Sequence, residues 1–444
     1  MEMPSSVGKP RIASNFDFMS SASVKPAMPL AWPTGPAAPP LREAWRSAQR
    51  LWARARQPDV MTPLALAFAI RLVVMVVATA AMEWYFAPRN PGKFAGLTIQ
   101  DFWDRKDAFW YLSIAEHGYT YSTVGQSSAN FYPLYPMLVA FFGAVARTLG
   151  VPTPYTVAGV AISWVSFLPA CVILYKLAER RFNSKVALGG VLLFAVYPFS
   201  FYYGLVYTES LFILLTAGAF LAMESRHWVL ACALAGIAGA ERPTGIVVGG
   251  CIGLAYLIMY LRERRWLRWD MLSLLLLPTG YLSYMLYCWV RFGDPFAASK
   301  ASRVGWGQGL QINGALWAWD MIRDPTNWSI IRHPKAWLNP GYVMVTVDFA
   351  YLGIALLMLL TLPFVWRRMG LPYAAYLFLG VLAPIIMFPA TYSLGRPLGM
   401  LFPAFFAYTY GLRRLPIVTY GLSLFCLVAM CIYAAFFMTG LGLS

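Results

Sequence analysis

The chain has 444 residues, 59% of them hydrophobic and only 12% charged, and its apolar residues come in blocks of roughly twenty, which excludes an ordinary soluble domain. The formal charge of +16 does not point to nucleic acid. Its basic residues stand in short clusters between apolar blocks, such as "RERRWLR" at 262–268, the pattern of a positive-inside bias. Only helices and closed barrels satisfy their backbone groups in hydrocarbon, and continuous apolar runs predict an all-α polytopic membrane protein rather than a barrel.

Residues 1–57 are rich in Pro, Ala and Ser, carry Arg42, Arg46, Arg50, Arg54 and Arg56, and lack a compact apolar region followed by a cleavage site. They are expected to form a disordered basic cytoplasmic tail rather than a signal peptide, leaving 58–444 as a single transmembrane domain. Segments able to span lie near 62–82, 156–177, 186–204, 207–223, 228–241, 243–261, 270–290, 345–366, 372–392, 396–412 and 416–438.

A further apolar stretch, 131–149, decides the topology. If it crosses, the clusters "KLAERRFNSK", "RERRWLR", "WRR" and "RR" all face away from the arginine-rich N-terminus; if it does not, they join it inside. A re-entrant or interfacial helix is therefore expected there, with about eleven crossings and an external C-terminus. The segments 83–155, 205–209, 291–344 and 393–396 then share the extracytoplasmic side. The short pair around "ERPTG" (241–245) could instead be one kinked span. Cys171, Cys232, Cys251, Cys288, Cys426 and Cys431 all fall inside apolar segments with no C-x-x-C spacing, and they read as core residues with no metal-ligand set around them.

Of nineteen Asp and Glu, five fall between 83 and 116: Glu83, Asp101, Asp104, Asp107 and Glu116. Carboxylates kept near hydrocarbon are usually paired, solvated or functional. Glu83, Asp101 and Glu116 read as loop-solvating residues. Asp107, in "KDAFWYLSIAEHGY", reads differently. A helix beginning near Asp104 puts it in the first turn, with Trp110, Tyr111 and Ile114 on its own face, an aromatic face suited to the membrane surface. The helix dipole, Arg105 and Lys106 would keep it ionised, as a general base requires.

"NFYPLYP" (130–136) follows, its spaced prolines opening a helix. "VYTESLF" (206–212) places Glu209 in a turn between two apolar helices, an unusual site for a carboxylate. Arg242, before a proline at a break between two short helices, and Arg396, at an outer helix end, either snorkel to the interface or supply cations to an anionic group. In the loop 291–344 several tryptophans fit an interfacial belt, Gly293–Pro295 read as a turn, and Asp320, Asp324 and His333 as solvated loop residues.

In this order "KDAFWYLSIAEHGY", "NFYPLYP", "YTES", "RPTG" and "FGDP" resemble the GPI mannosyltransferase II (PIG-V-like) family of membrane glycosyltransferases, its bacterial relatives included, over roughly 62–412. The resemblance implies a GT-C type helical bundle and an inverting transferase. It also implies a polyprenyl- or dolichyl-phosphate sugar donor, expected to carry mannose, with transfer at the outer or lumenal face. The family's acidic residue falls on Asp107, with Lys106 standing where the family has tryptophan; the literal Trp-Asp pair is Trp103–Asp104.

On this reading Asp107 accepts the proton of an acceptor hydroxyl as that oxygen attacks the anomeric carbon. Arg242 and Arg396 stabilise the departing lipid phosphate with Lys106 or His117 as helpers. Glu209 binds sugar hydroxyls or assists the base, and Tyr132 and Tyr135 complete the substrate-binding set. No cofactor is expected beyond the lipid-linked donor, and no metal is required by the chemistry. The acceptor stays open among a glycolipid, a glycan and a protein hydroxyl. A bacterial inner membrane is the expected location. The alternative is a transporter or flippase of lipid-linked sugars.

Overall fold

The structure, a computed structural model, describes residues 57–89, 99–263, 269–309, 313–333, 342–388 and 394–438, all of them helix or connection with no strand among them. The expected basic tail lies outside these residues. Helix α1 (Pro58–Ala81) opens with proline at its first position and runs on through a π-helical turn to Arg89. Three shorter pieces follow: α2 (Ile99–Trp103), α3 (Asp107–His117) and α4 (Leu134–Thr148). The long α5 (Pro154–Arg181) leads to α6 (Ser184–Ala195), whose first turn is capped by the Asn183 side chain accepting from Val186 N at 2.9 Å.

A 3-10 turn at Ser200–Gly204 precedes α7 (Glu209–Glu224), and α8 (Trp228–Glu241) and α9 (Gly245–Glu263) come next. The chain continues through a 3-10 segment into α10 (Thr279–Phe292), α11 (Ala297–Trp306), α12 (Asn313–Arg323) and α13 (Pro325–Arg332). The remaining helices are α14 (Val343–Leu360), α15 (Leu362–Met369), α16 (Leu371–Met387), α17 (Gly395–Gly399), α18 (Phe402–Gly411) and α19 (Pro416–Met438).

Every apolar block of the sequence becomes mainly helix, but many are shorter than the blocks. Among the described residues four helices are long and apolar enough to cross a bilayer, or up to six if each bent pair is one span. Of the other five expected spans, 186–204 breaks into α6 and a 3-10 turn and 396–412 into α17 and α18, while α7, α8 and α16 are unbroken but short. Length alone thus assigns four to six of the crossings expected from composition. Helix α4 has 15 residues, about 22 Å of rise against a hydrocarbon core of roughly 30 Å, so it is too short to cross upright. One face, with Tyr135, Val139 and Gly143, is buried, and the other exposes Met137, Phe141 and Val145.

Among the described residues one buried guanidinium has no carboxylate partner. Arg71, on α1, is 2% exposed and donates to the carbonyls of Ala195 and Ser200 and, at 3.0 Å, to Ser200 Oγ. Its guanidinium also lies 4.9 Å from the Phe167 ring centre. Those carbonyls end α6 and open the following 3-10 turn, so the cation satisfies backbone groups that apolar side chains cannot. Arg71 thereby pins α1 to the break before α7.

Helices α8 and α9 pack against each other around the Arg242–Thr244 turn, so "ERPTG" is a helical hairpin and not a kinked span. Glycine makes the support of that hairpin possible. A Cβ on Gly280 of α10 would run into the Gly236 carbonyl and the Ala240 amide of α8, so the two backbones touch beside the end of α8.

Candidate functional site

Four separate elements bring charge to one point. Asp107 is the first residue of α3, Glu209 the first residue of α7, Arg242 follows the last residue of α8, and Arg396 lies in α17. Arg396 donates through Nε and Nη2 to Glu209 Oε1 at 2.9 and 2.7 Å, and through Nη1 to Asp107 Oδ2 at 2.6 Å. Arg242 Nη1 reaches the same Glu209 oxygen at 2.9 Å and Thr208 Oγ1 at 2.7 Å. The rings of Tyr202 and Tyr207 lie 4.9 and 4.7 Å from the Arg396 guanidinium. Two acids face two guanidiniums, the arrangement in which burial of charge is tolerated.

Local structure explains how each group is aimed. Helix α3 starts at Asp107, not near Asp104, because Lys106 takes φ 60° and turns the chain sharply. Asp107 keeps its first-turn place, but the cation holding it is Arg396, 289 residues away, rather than Arg105 or Lys106. Gly395 lets α17 approach closely, since a Cβ there would meet the Tyr351 and Phe199 rings. The literal Trp-Asp pair is elsewhere. Asp104 accepts from Gln100 and Thr156 at 3.2 and 3.1 Å, and burial raises its carboxyl pKa above the usual range.

The cluster opens onto a cavity of about 860 Å³. Asp107, Arg242, Arg396, Lys106 and Tyr132 line it, together with Trp110, Tyr111, Thr208, Glu241, Tyr281, Ser302 and Arg303. Segments expected on one side of the membrane, around 106–132, 208, 302–309 and 396, therefore meet at one cavity. Side-chain exposure falls from 30% at Asp107 through 18% at Arg242 to nothing at Glu209, which sits behind the arginines and off the cavity wall. No hydrogen bond among the described residues uses Asp107 Oδ1, so one carboxylate oxygen remains available beside the pair to Arg396.

Three expected site residues stand apart from that wall. Glu209 is not placed to touch a sugar hydroxyl; it holds Arg242 and Arg396. Tyr135 is buried, its hydroxyl bonded to Gly159 O at 2.8 Å and Ser163 Oγ at 2.9 Å, because its ring packs inward from the first turn of α4. His117, at the exposed far end of α3, does not line the cavity. Asp294 of "FGDP" accepts from Lys300 at 2.6 Å and from Phe296 N at 3.0 Å, and the lysine holds its carboxyl below the usual range. That motif ties the start of α11.

Sequence reasoning missed Thr208, Tyr202, Tyr207, Glu241 and Arg303. The polar run "YTES" was the available signal for the first and third. Burial and Asp107 push the Tyr111 phenol above its ordinary pKa, so it remains a hydroxyl on the wall.

The fold and site define a multi-pass helical membrane protein with a paired carboxylate–guanidinium cluster on one cavity. The family model for mannosyltransferase (PIG-V) matches residues 71–294, just over half the chain, and the chain belongs to that family. The match includes Asp107, Glu209 and Arg242 and ends before Arg396.

Among individual relatives, the chain is 31% identical over 111 residues to a GPI mannosyltransferase 2 of Drosophila pseudoobscura pseudoobscura, 24% of each protein. It is 26% identical over 144 residues to that of Drosophila melanogaster, 31% of this chain and 27% of the relative. The matched stretch thus spans about a quarter of those relatives' length. ArnT from Cupriavidus metallidurans, solved with undecaprenyl phosphate, superposes with a TM-score of 0.49 at 13% identity over 81% of this chain and 62% of its own. An Archaeoglobus fulgidus oligosaccharyltransferase gives 0.42 at 12% over 83% and 52%. At these scores the likeness is partial and by itself defines neither fold nor activity.

Proposed function

We propose that the chain is a membrane glycosyltransferase that moves mannose from a polyprenyl-phosphate donor to an acceptor hydroxyl, with inversion, at the extracytoplasmic face of a bacterial inner membrane. The observation that carries this reading is the Asp107–Arg396 pair on the wall of the cavity, with Arg242 beside it. A partly exposed carboxylate suits a base, and guanidiniums suit a phosphate. Membership of the PIG-V family supports the choice of sugar.

In the reaction so read, the acceptor oxygen attacks the anomeric carbon from the face opposite the phosphate. The acceptor proton passes to Asp107 Oδ1. The bond from the anomeric carbon to the phosphate oxygen breaks with its electron pair staying on the phosphate, and the sugar inverts. Arg396 holds Asp107 in place through the pair at 2.6 Å and, with Arg242, offers its remaining N–H groups to the charge growing on the leaving phosphate. Lys106 and Arg303 line the same cavity and form no ion pair among the described residues, so they add positive charge not already committed to protein. Glu209 acts one step back, orienting both arginines.

A lipid phosphate leaves without a diphosphate to clamp, so a metal ion is not required, and transfer is expected to persist at full rate after exhaustive EDTA treatment. The deciding experiment supplies radiolabelled polyprenyl-phosphate mannose to the purified protein in membrane lipids. Label appearing in a new covalent product supports the reading. Label crossing the bilayer without transfer makes the protein a transporter of lipid-linked sugars instead.

A further inference from the structure

Among the described residues one buried carboxyl lines the cavity with both oxygens unbonded. Glu241, the last residue of α8, is 1% exposed, lines the cavity, and neither of its oxygens completes a hydrogen bond. The Tyr135 amide, in the first turn of α4, is turned toward it without closing one. Its neighbour Arg242 is spoken for by Thr208 and Glu209. A buried polar group that is left unbonded weakens the fold, and it persists where something else uses it.

The surroundings indicate what that user is. Tyr281 packs at the start of α10 against Gly239, two residues before Glu241, and faces Tyr132 across 6.1 Å between ring centres at 31°. Both rings line the cavity. A carboxyl beside aromatic rings is matched by a sugar ring, which offers hydroxyl donors on its rim and C–H groups on its faces. Arg242, adjoining Glu241 in the chain, faces the same space, so a sugar carried on a phosphate can engage both at once.

We propose that Glu241 reads the donor sugar: its carboxyl accepts hydrogen bonds from ring hydroxyls while Tyr132 and Tyr281 pack against the sugar's C–H face. This rests on the transferase reading above and adds a specificity-determining residue that touches substrate without taking part in bond breaking.

The test compares binding of two probes, polyprenyl-phosphate mannose and bare polyprenyl phosphate, to the full-length protein in lipid nanodiscs. Wild type is expected to bind the sugar-bearing lipid more tightly than the bare one. Glu241→Ala should weaken the sugar-bearing lipid roughly 10- to 100-fold, the cost of leaving hydroxyl donors unpaired, and leave the bare phosphate within about threefold. Glu241→Gln, nearly the same shape, should lose less.

The melting temperature of Glu241→Ala should equal or exceed that of wild type, since an unbonded buried group is removed, and that of Glu241→Gln, which keeps a buried polar head of the same size, should stay at the wild-type value. Equal weakening of both probes, an unchanged affinity for the sugar-bearing lipid, or a lowered melting temperature in both variants would overturn the assignment. If wild type binds neither probe, the transferase reading falls and this assignment with it.

Discussion

Arg396 and Glu209 meet through two nitrogens and one oxygen: Nε and Nη2 of the arginine both reach Oε1, while Nη1 reaches past to Asp107. The guanidinium plane therefore fixes the angle between a buried carboxylate and an accessible one. The consequences for Asp107, Glu209 and Arg396 are separable by substitution.

Asp107→Asn keeps the shape and an oxygen for Arg396 to bond but removes the proton acceptor. Transfer should fall by about 10²- to 10⁴-fold with the melting temperature nearly held, because the side chain is partly exposed. Near-normal turnover in a folded Asp107→Asn protein would remove Asp107 from the chemistry.

Glu209→Gln should act chiefly on stability. Glu209 is fully buried, and neutralising it leaves two guanidiniums short of their counter-charge, a loss of about 3 kcal/mol or more. Thermal unfolding in detergent should show a drop clearly larger than that of Asp107→Asn. The reverse order would mean that the cluster is not organised around Glu209.

Arg396→Lys keeps the charge and loses the fork. A lysine ammonium cannot hold both carboxylates in one plane, so Asp107 should lose its orientation while the phosphate still meets a cation. Initial-rate kinetics should show a fall in kcat that exceeds any rise in KM for the donor; a change in KM alone would assign Arg396 to donor binding only.

Tyr135→Phe and His117→Ala test the cavity boundary. Tyr135 bonds inward to Gly159 and Ser163, so losing its hydroxyl should cost about 1 kcal/mol of stability and leave activity within about twofold. His117→Ala should change neither. A tenfold activity loss in either variant would extend the site beyond the wall described above.

Sequence alone determined the solvent, the secondary structure and the sites worth watching. Apolar blocks that long leave no alternative to helices, and the scarcity of acids made Asp107 and Glu209 conspicuous. What it could not determine was which charges face each other. Asp107 has two cations directly before it, Arg105 and Lys106, and still takes its partner from α17, because the backbone turn at Lys106 and the close approach at Gly395 set directions that spacing does not encode.

The same limit separated Tyr132 from Tyr135, three residues apart on one motif, one on the cavity and one in the core. It also hid Glu241, which reads in the sequence as the neighbour of an arginine. Tertiary structure decided these points because the energy of a charge in a membrane protein depends on what lies within a few ångströms of it, and those neighbours come from helices far apart in the chain.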